Sequence, residues 1–131
     1  YLFSNSLAPA IAGATLEVLK MLSETTELRD KLYESTQLFR KGMTEAGFKI
    51  VPGVHSIVPV LFGHLPNDAK LSQDFANALL DEGIYVTGFY YPVVPKGKSR
   101  IRVQISAAHT KKQVEFAIEK FTKVGKKLGA I

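Results

Sequence analysis

In the stretch SRIRVQISAAHT, Arg100, Arg102, Gln104 and Ser106 alternate with Ile101, Val103 and Ile105. Strict alternation marks a β-strand with one apolar and one polar face. A guanidinium repeated on the polar face offers a rigid fork of donors that suits a carboxylate or a phosphate. Gln104 and Ser106 share that face, and the preceding loop is rich in Pro and Gly. A polar concavity at the end of a strand, beside a loop able to close, is a common place to hold a small anion. Arg102 is therefore expected to bind one. Arg100, nearer the loop, is expected to take a looser, solvent-exposed role.

Other residues with chemical potential point less far. His55, His64 and His109 are too widely spaced for a metal motif, and HExxH is absent. His55 follows a turn and His109 precedes a helix, so both are expected to serve local turns or caps. Glu24 and Glu27 sit on solvent-facing turns and read as structural. Ser4, Asn5 and Ser6 precede a helix, where they could cap it or bind a phosphate on its free N–H groups. Lys96 and Lys98 lie in a loop and read as solvated. Phe89, Tyr90 and Tyr91 followed by Lys96, Lys98 and Arg100 give a faint version of a nucleic-acid platform, weakened by the prolines between them.

These residues must be positioned by a small domain. The chain has 131 residues, 46% of them hydrophobic, enough for one core. Seventeen Lys and Arg against twelve Asp and Glu give a net charge of +5. Much of it lies at Lys111, Lys112, Lys120, Lys123, Lys126 and Lys127, expected to form a solvated helix face whose last cations complement the helix dipole. With no cysteine, disulfides and thiolate metal sites are excluded. No apolar run reaches membrane-spanning length. The chain opens without Met, inside what reads as a structural motif, and is expected to be part of a longer one.

Leu7, Ile11, Val18, Leu19 and Leu22 have helical spacing over about residues 7–22, and a second helix with the stripe Leu28, Leu32, Phe39, Met43 should end at Gly47. Phe48 to Val51 reads as a strand, and Ile57 to Phe62 as another that Pro59 places at an edge or bulge. Asn67 or Asp68 should cap a helix with Leu71, Phe75, Ala78 and Leu79 inside and Gly83 at its end. Ile84 to Phe89 reads as a strand, followed by the loop YYPVVPKGKS and the arginine strand. Thr110 and Gln113 make a capping box for a last helix burying Val114, Ile118, Phe121 and Leu128. The sum is an α+β fold: a small antiparallel or mixed sheet covered by helices and preceded by a long helical pair. The first helix, made to pack on something else, should expose apolar surface.

YLFSNSLAPA, GFYYPVVPKGKSRIR and QISAAHT together resemble the C-terminal part of the α-oxoamine synthases, over essentially the whole chain. Val93 stands where the aminolevulinate and amino-oxononanoate synthases would carry threonine, which favours the 2-amino-3-ketobutyrate coenzyme A ligase (glycine C-acetyltransferase) branch. The resemblance implies a type I fold pyridoxal phosphate enzyme acting as a homodimer, with residues 1–46 a helical segment leading from the cofactor domain and residues 47–131 the small α+β domain. It implies condensation of glycine with acetyl-CoA to 2-amino-3-ketobutyrate, or the reverse cleavage with CoA during threonine breakdown, with a threonine dehydrogenase as partner. Neither nucleic acid nor membrane is implied. The compartment would be cytoplasm in a bacterium and mitochondrion in a eukaryote.

Residue by residue, the resemblance implies that Arg102 grips the substrate carboxylate and that Ser4 reaches the cofactor phosphate of the neighbouring subunit. Tyr91, Pro92, Val93, Val94, Pro95, Lys96 and Gly97 match a loop that closes over the substrate. The family's Schiff-base lysine, and the Asp and His that hold the pyridine ring, match no position here and are expected upstream of residue 1. The chain by itself is accordingly expected to be inactive. A free-standing module for an anionic ligand or RNA is the competing expectation.

Overall fold

A computed structural model describes residues 6–131. Its elements are α1 (Pro9–Glu24), α2 (Glu27–Glu45), β1 (Ile57–Leu61), α3 (Asp68–Asp81), β2 (Gly88–Phe89), β3 (Arg100–Gln104) and α4 (Lys111–Leu128). The strands form one antiparallel sheet in the order β1-β3-β2. None of the described helices is long and apolar enough to cross a membrane.

The sheet has one covered face. Val58 and Val60 of β1 and Ile101 of β3 are fully buried, together with Phe39 and Met43 of α2, Phe75 and Leu79 of α3, and Phe121 of α4. Phe75 and Phe121 are the centre of this core. Phe121 meets Phe39 edge-on at 5.9 Å and Phe75 at 5.7 Å, while Phe75 also meets Phe48 at 6.0 Å and Phe62 at 5.0 Å. Offset and edge-on rings add to simple area burial because positive ring edges meet negative faces.

Helix ends follow the local chemistry. The α4 capping box is present, with Thr110 N donating to Gln113 Oε1 at 2.9 Å and Gln113 N to Thr110 Oγ1 at 3.3 Å. Gly47 and Gly83 follow α2 and α3 at φ 100° and 84°, a region that favours glycine. Between α1 and α2, Arg29 Nη2 donates to the Leu22 carbonyl at 2.9 Å, satisfying a carbonyl at the end of α1. In contrast, α1 is capped by neither serine nor asparagine: its N-cap is Ala8 followed by Pro9, so Ser6 does not cap it. Ser4 and Asn5 lie outside the described residues.

Several expected elements contract, for identifiable reasons. Phe48 to Val51 reduces to one bridge, Ile50 to Val60. Val51 N donates to the Pro59 carbonyl at 3.1 Å, but Pro59 has no N–H to return the bond. The Val51 carbonyl is taken instead by Arg40 Nη1 at 2.7 Å, and Arg40 Nη2 donates to the His55 carbonyl at 2.8 Å. Arg40, a buried residue of α2, thus shapes the turn into β1. Ile84 to Phe89 pairs only at Gly88 and Phe89. Its start is still tied to α3, with Ile84 N donating to the Leu79 carbonyl at 2.8 Å, and burial alternates along it without a ladder. Pro59 does sit in an outer strand, as expected.

The apolar stripes hold in part. Leu28 is exposed, and α1 buries no residue: Leu7, Ile11, Leu16, Val18 and Leu19 all face outward. Lys120 departs from the expected solvated face, lying beside Glu82 at 3.6 Å while Lys123 bonds the same carboxylate at 2.6 Å. Those contacts hold Glu82 below the usual carboxylate range, with the Lys123 hydrogen bond the largest cause. Phe121→Ala should lower the unfolding free energy by about 3–5 kcal/mol, because the cavity would open where rings from α2 and α3 meet. Urea denaturation of the two chains, followed by far-UV circular dichroism, measures the difference.

Candidate functional site

The central strand β3 displays its two faces as its alternation requires. Ile101 and Ile105 are buried toward the helices, while Arg102 and Gln104 are exposed on the opposite face. Arg102 lies opposite Pro59 of β1. Its guanidinium carbon stands 5.0 Å from the centre of the Phe89 ring. Every ion pair among the described residues uses a lysine, so Arg102 has no acidic partner there. A surface arginine neutralised by a neighbouring carboxylate is not what the structure holds.

The exposures of the two arginines are reversed from expectation. Arg100 is half-buried because Leu61 and Phe89 flank it on both sides of the sheet, whereas Arg102 lies beyond the paired end of β2. Where β2 stops pairing, a cleft of about 730 Å³ opens between residues 83–87, the edge of β3 and the start of α4. Its rim includes Arg102, Gln104, His109 and Gln113, and its floor Phe39, Ile105 and Phe121. The cleft is apolar below and polar above, with one guanidinium.

His109 belongs to this rim through a local turn, as its position before a helix suggested. Its N–H donates to the Ser106 carbonyl at 3.0 Å, and Ser106 N donates to His109 Nδ1 at 3.2 Å. With Nδ1 accepting, the neutral ring carries its proton on Nε2. The Ser106 hydroxyl accepts from Ala108 N at 3.2 Å, so it serves the turn. His55 does the same elsewhere, its Nδ1 accepting from Ile57 N at 3.0 Å. His64 is exposed in the turn before α3. No group of three or more His, Asp or Glu among the described residues could hold a metal ion.

The loop of residues 90–99 is anchored at its base and open at its tip. Val94 is buried, whereas Tyr91 and Val93 are 57% and 72% exposed, and Lys96 Nζ stands 5.1 Å from the Tyr91 ring. Phe62 N donates to the Ser99 carbonyl at 2.9 Å. A Cβ on Gly63 would lie 1.9 Å from the Gly97 carbonyl oxygen, so only glycine lets the two backbones meet. Asn67 occupies the N-cap of α3 with a φ of 55°, but its side chain makes no capping bond, and Asp68 is the first helical residue. The Asp68 carboxylate instead accepts from Ser99 N at 3.3 Å, directly before Arg100. Hydrogen bonding by Ser99 is the largest cause holding its carboxyl below the usual range.

Phe89 and Asp68 therefore matter to this site, though the sequence marked Phe89 only as part of a nucleic-acid platform and Asp68 only as a cap candidate. Phe89 reaches Arg102 only through strand pairing. Asp68 carries a signal at position N1 of a helix, but that signal reads equally as a cap. As for an RNA platform, Phe89 and Tyr91 each already have a cation of this chain beside the ring, Arg102 and Lys96.

Fold and site together define a small α+β domain that offers, on the open face of its sheet, a guanidinium with no acidic partner among the described residues. The aminotransferase class I and II family model matches residues 1–121, and the chain belongs to that family. Over all 131 residues it is 54% identical to the 2-amino-3-ketobutyrate coenzyme A ligase of Escherichia coli (strain K12), covering 32% of that protein. It is 47% identical over the same 131 residues to the 8-amino-7-oxononanoate synthase of Thermosipho melanesiensis, again covering 32%. Among solved structures, it is similar to a serine palmitoyltransferase from S. paucimobilis with bound PLP–myriocin aldimine. That likeness has a TM-score of 0.81 at 29% identity and covers all of this chain and 32% of that one. The expected α+β fold of a type I pyridoxal phosphate enzyme is borne out, and the chain spans about a third of the length of the curated relatives it matches.

Because the folded-state pKa of Asp68 is lowered, its contribution to stability is complete above the unfolded value and is lost as pH falls through the folded one. Asp68→Asn should therefore lose stability near neutral pH and show a shallower fall below about pH 4 than the parent chain. Thermal unfolding midpoints from pH 7 to pH 2 check the sign.

Proposed function

We propose that this chain supplies the substrate-carboxylate grip of a pyridoxal phosphate-dependent acyltransferase. The reaction is condensation of glycine with acetyl-CoA to 2-amino-3-ketobutyrate, or its reverse with CoA, yielding glycine in threonine breakdown. The observation that carries the reading is Arg102, exposed on the open face of β3, over the Phe89 ring and without an acidic partner among the described residues. The 54% identity to the ketobutyrate ligase supports the choice of substrates.

The cleft beside Arg102 contains neither a lysine nor an acidic side chain, so its residues do not fit the cofactor itself. The role of this chain is with the substrate. A carboxylate held by two parallel N–H bonds of Arg102 has its plane fixed, and the amino acid's Cα is fixed with it. On this reading the Tyr91–Gly97 loop, whose Val94 is buried and whose following Ser99 bonds Asp68, covers the bound substrate and excludes water. Groups that bind the cofactor are assigned to the remainder of a homodimeric parent polypeptide and to Ser4, and the chain by itself is inactive. A threonine dehydrogenase is the fitting supplier of the ketobutyrate.

The 47% identity to an amino-oxononanoate synthase favours a sister α-oxoamine synthase as the second reading. Glycine-dependent release of CoA from acetyl-CoA, measured on the full-length parent protein loaded with pyridoxal phosphate, separates the two. Release with glycine is the expected result. Release only with another amino acid and a longer acyl-CoA would replace the ligase with the sister enzyme, and silence with every pair would favour an anion-binding module. Arg102→Ala should raise KM for glycine by roughly one to two orders of magnitude, the equivalent of one charge-assisted hydrogen-bonded contact, with KM for acetyl-CoA little changed.

A further inference from the structure

The proposed grip requires a guanidinium that points one way, and an exposed arginine does not do so unaided. Its side chain has many rotamers, whose freedom is lost on binding unless something on the protein holds it first. No carboxylate among the described residues does this, because all their ion pairs belong to lysines. The contact the structure does give Arg102 is the Phe89 ring, at 5.0 Å.

Phe89 is placed there by the sheet. It pairs with Arg100, so its side chain stands on the same face as Arg100 and Arg102, with Arg102 its diagonal neighbour two positions along β3. Phe89 is half-buried and stands apart from the edge-on and tilted phenylalanines beneath the sheet. The preceding residue, Gly88, lies so close to α3 that a Cβ would be 2.6 Å from the Ser72 carbonyl oxygen. The ring is therefore carried on a strand pressed against a helix, whereas the loop beginning at Tyr90 leaves the sheet. A cation over an aromatic face is attracted by the ring quadrupole, and that attraction uses none of the guanidinium N–H donors a carboxylate needs.

We propose that Phe89 is a positioning residue for substrate binding, holding the Arg102 guanidinium in the orientation that receives the substrate carboxylate. This rests on the assignment of Arg102 to the carboxylate. An aliphatic side chain of similar bulk would keep the packing but lose the quadrupole, so the effect falls on carboxylate affinity and leaves the acyl-CoA side untouched.

Phe89→Leu and Phe89→Tyr in the full-length, cofactor-loaded parent enzyme test this. In the leucine variant KM for glycine should rise about three- to tenfold, with KM for acetyl-CoA within about twofold of the parent, and the tyrosine variant should restore glycine KM. A second readout needs no turnover: the Arg102 side-chain N–H proton resonance should be shifted upfield by the ring current in the parent and Phe89→Tyr proteins, and return toward the ordinary arginine position in Phe89→Leu. An unchanged glycine KM in Phe89→Leu, in an enzyme where Arg102→Ala does lose glycine, would overturn the positioning role and leave the function standing. An absent ring-current shift would overturn the stacking itself. Should the parent protein show no glycine-dependent release, the functional assignment fails and the substrate-positioning role falls with it, whereas the resonance still decides whether the stack exists.

Discussion

The register between β1 and β3 is the constraint on which the rest of this structure depends. Side chains alternate along a strand, so a slip of one residue would drive Arg102 into the phenylalanine core and expose Ile101. Pairing Pro59 with Arg102 and Val60 with Ile101 avoids that, and the register is held at both ends. At one end Arg40 draws the Val51 and His55 carbonyls together and fixes where β1 begins. At the other, the Phe62 and Ser99 backbones bond while Gly63 and Gly97 meet closely. Pro59 contributes by what it lacks: without its N–H, the Val51 carbonyl is free for Arg40.

That scaffold divides the arginine strand between two jobs. Its apolar residues join helices α2, α3 and α4 in a core of edge-on and tilted rings, while its polar residues stand on the open face. The site then depends on incomplete pairing. Because β2 begins pairing only at Gly88, a cleft opens beside Arg102, and Phe89, the last residue of β2, lies beneath the guanidinium. Asp68 links the covering helices to the loop base through Ser99, so helix packing, loop position and arginine display are mechanically connected. The exposed apolar residues of α1 take no part in this core.

Much of this was legible in the sequence because it arises from interactions close along the chain. The Thr110 and Gln113 capping box, the helix ends at Gly47 and Gly83, and the alternating faces of β3 each depend on a few consecutive residues, and each is present. Less legible were features in which two distant segments compete for one backbone group. The expected strand at Phe48 to Val51 shrank to a bridge because its partner Pro59 has no N–H for the Val51 carbonyl, which Arg40 of α2 bonds instead. Asp68 likewise bonds Ser99 across the fold, a contact that becomes visible only when the start of α3 and the residue before β3 lie side by side.

By itself the sequence determined that a guanidinium would occupy the polar face of an amphipathic strand, since the two-residue period of a strand leaves it no other face once Ile101 and Ile105 are buried. It also determined the α+β class, through the alternation of helical and strand periods. Only the tertiary structure decided which arginine would be available. Arg100 is covered by Leu61 and Phe89 on the neighbouring strands, whereas Arg102 lies past the end of one strand and against the ring of Phe89. The physical reason is that lateral neighbours in a sheet are set by pairing and strand length, which no local pattern within a single strand encodes.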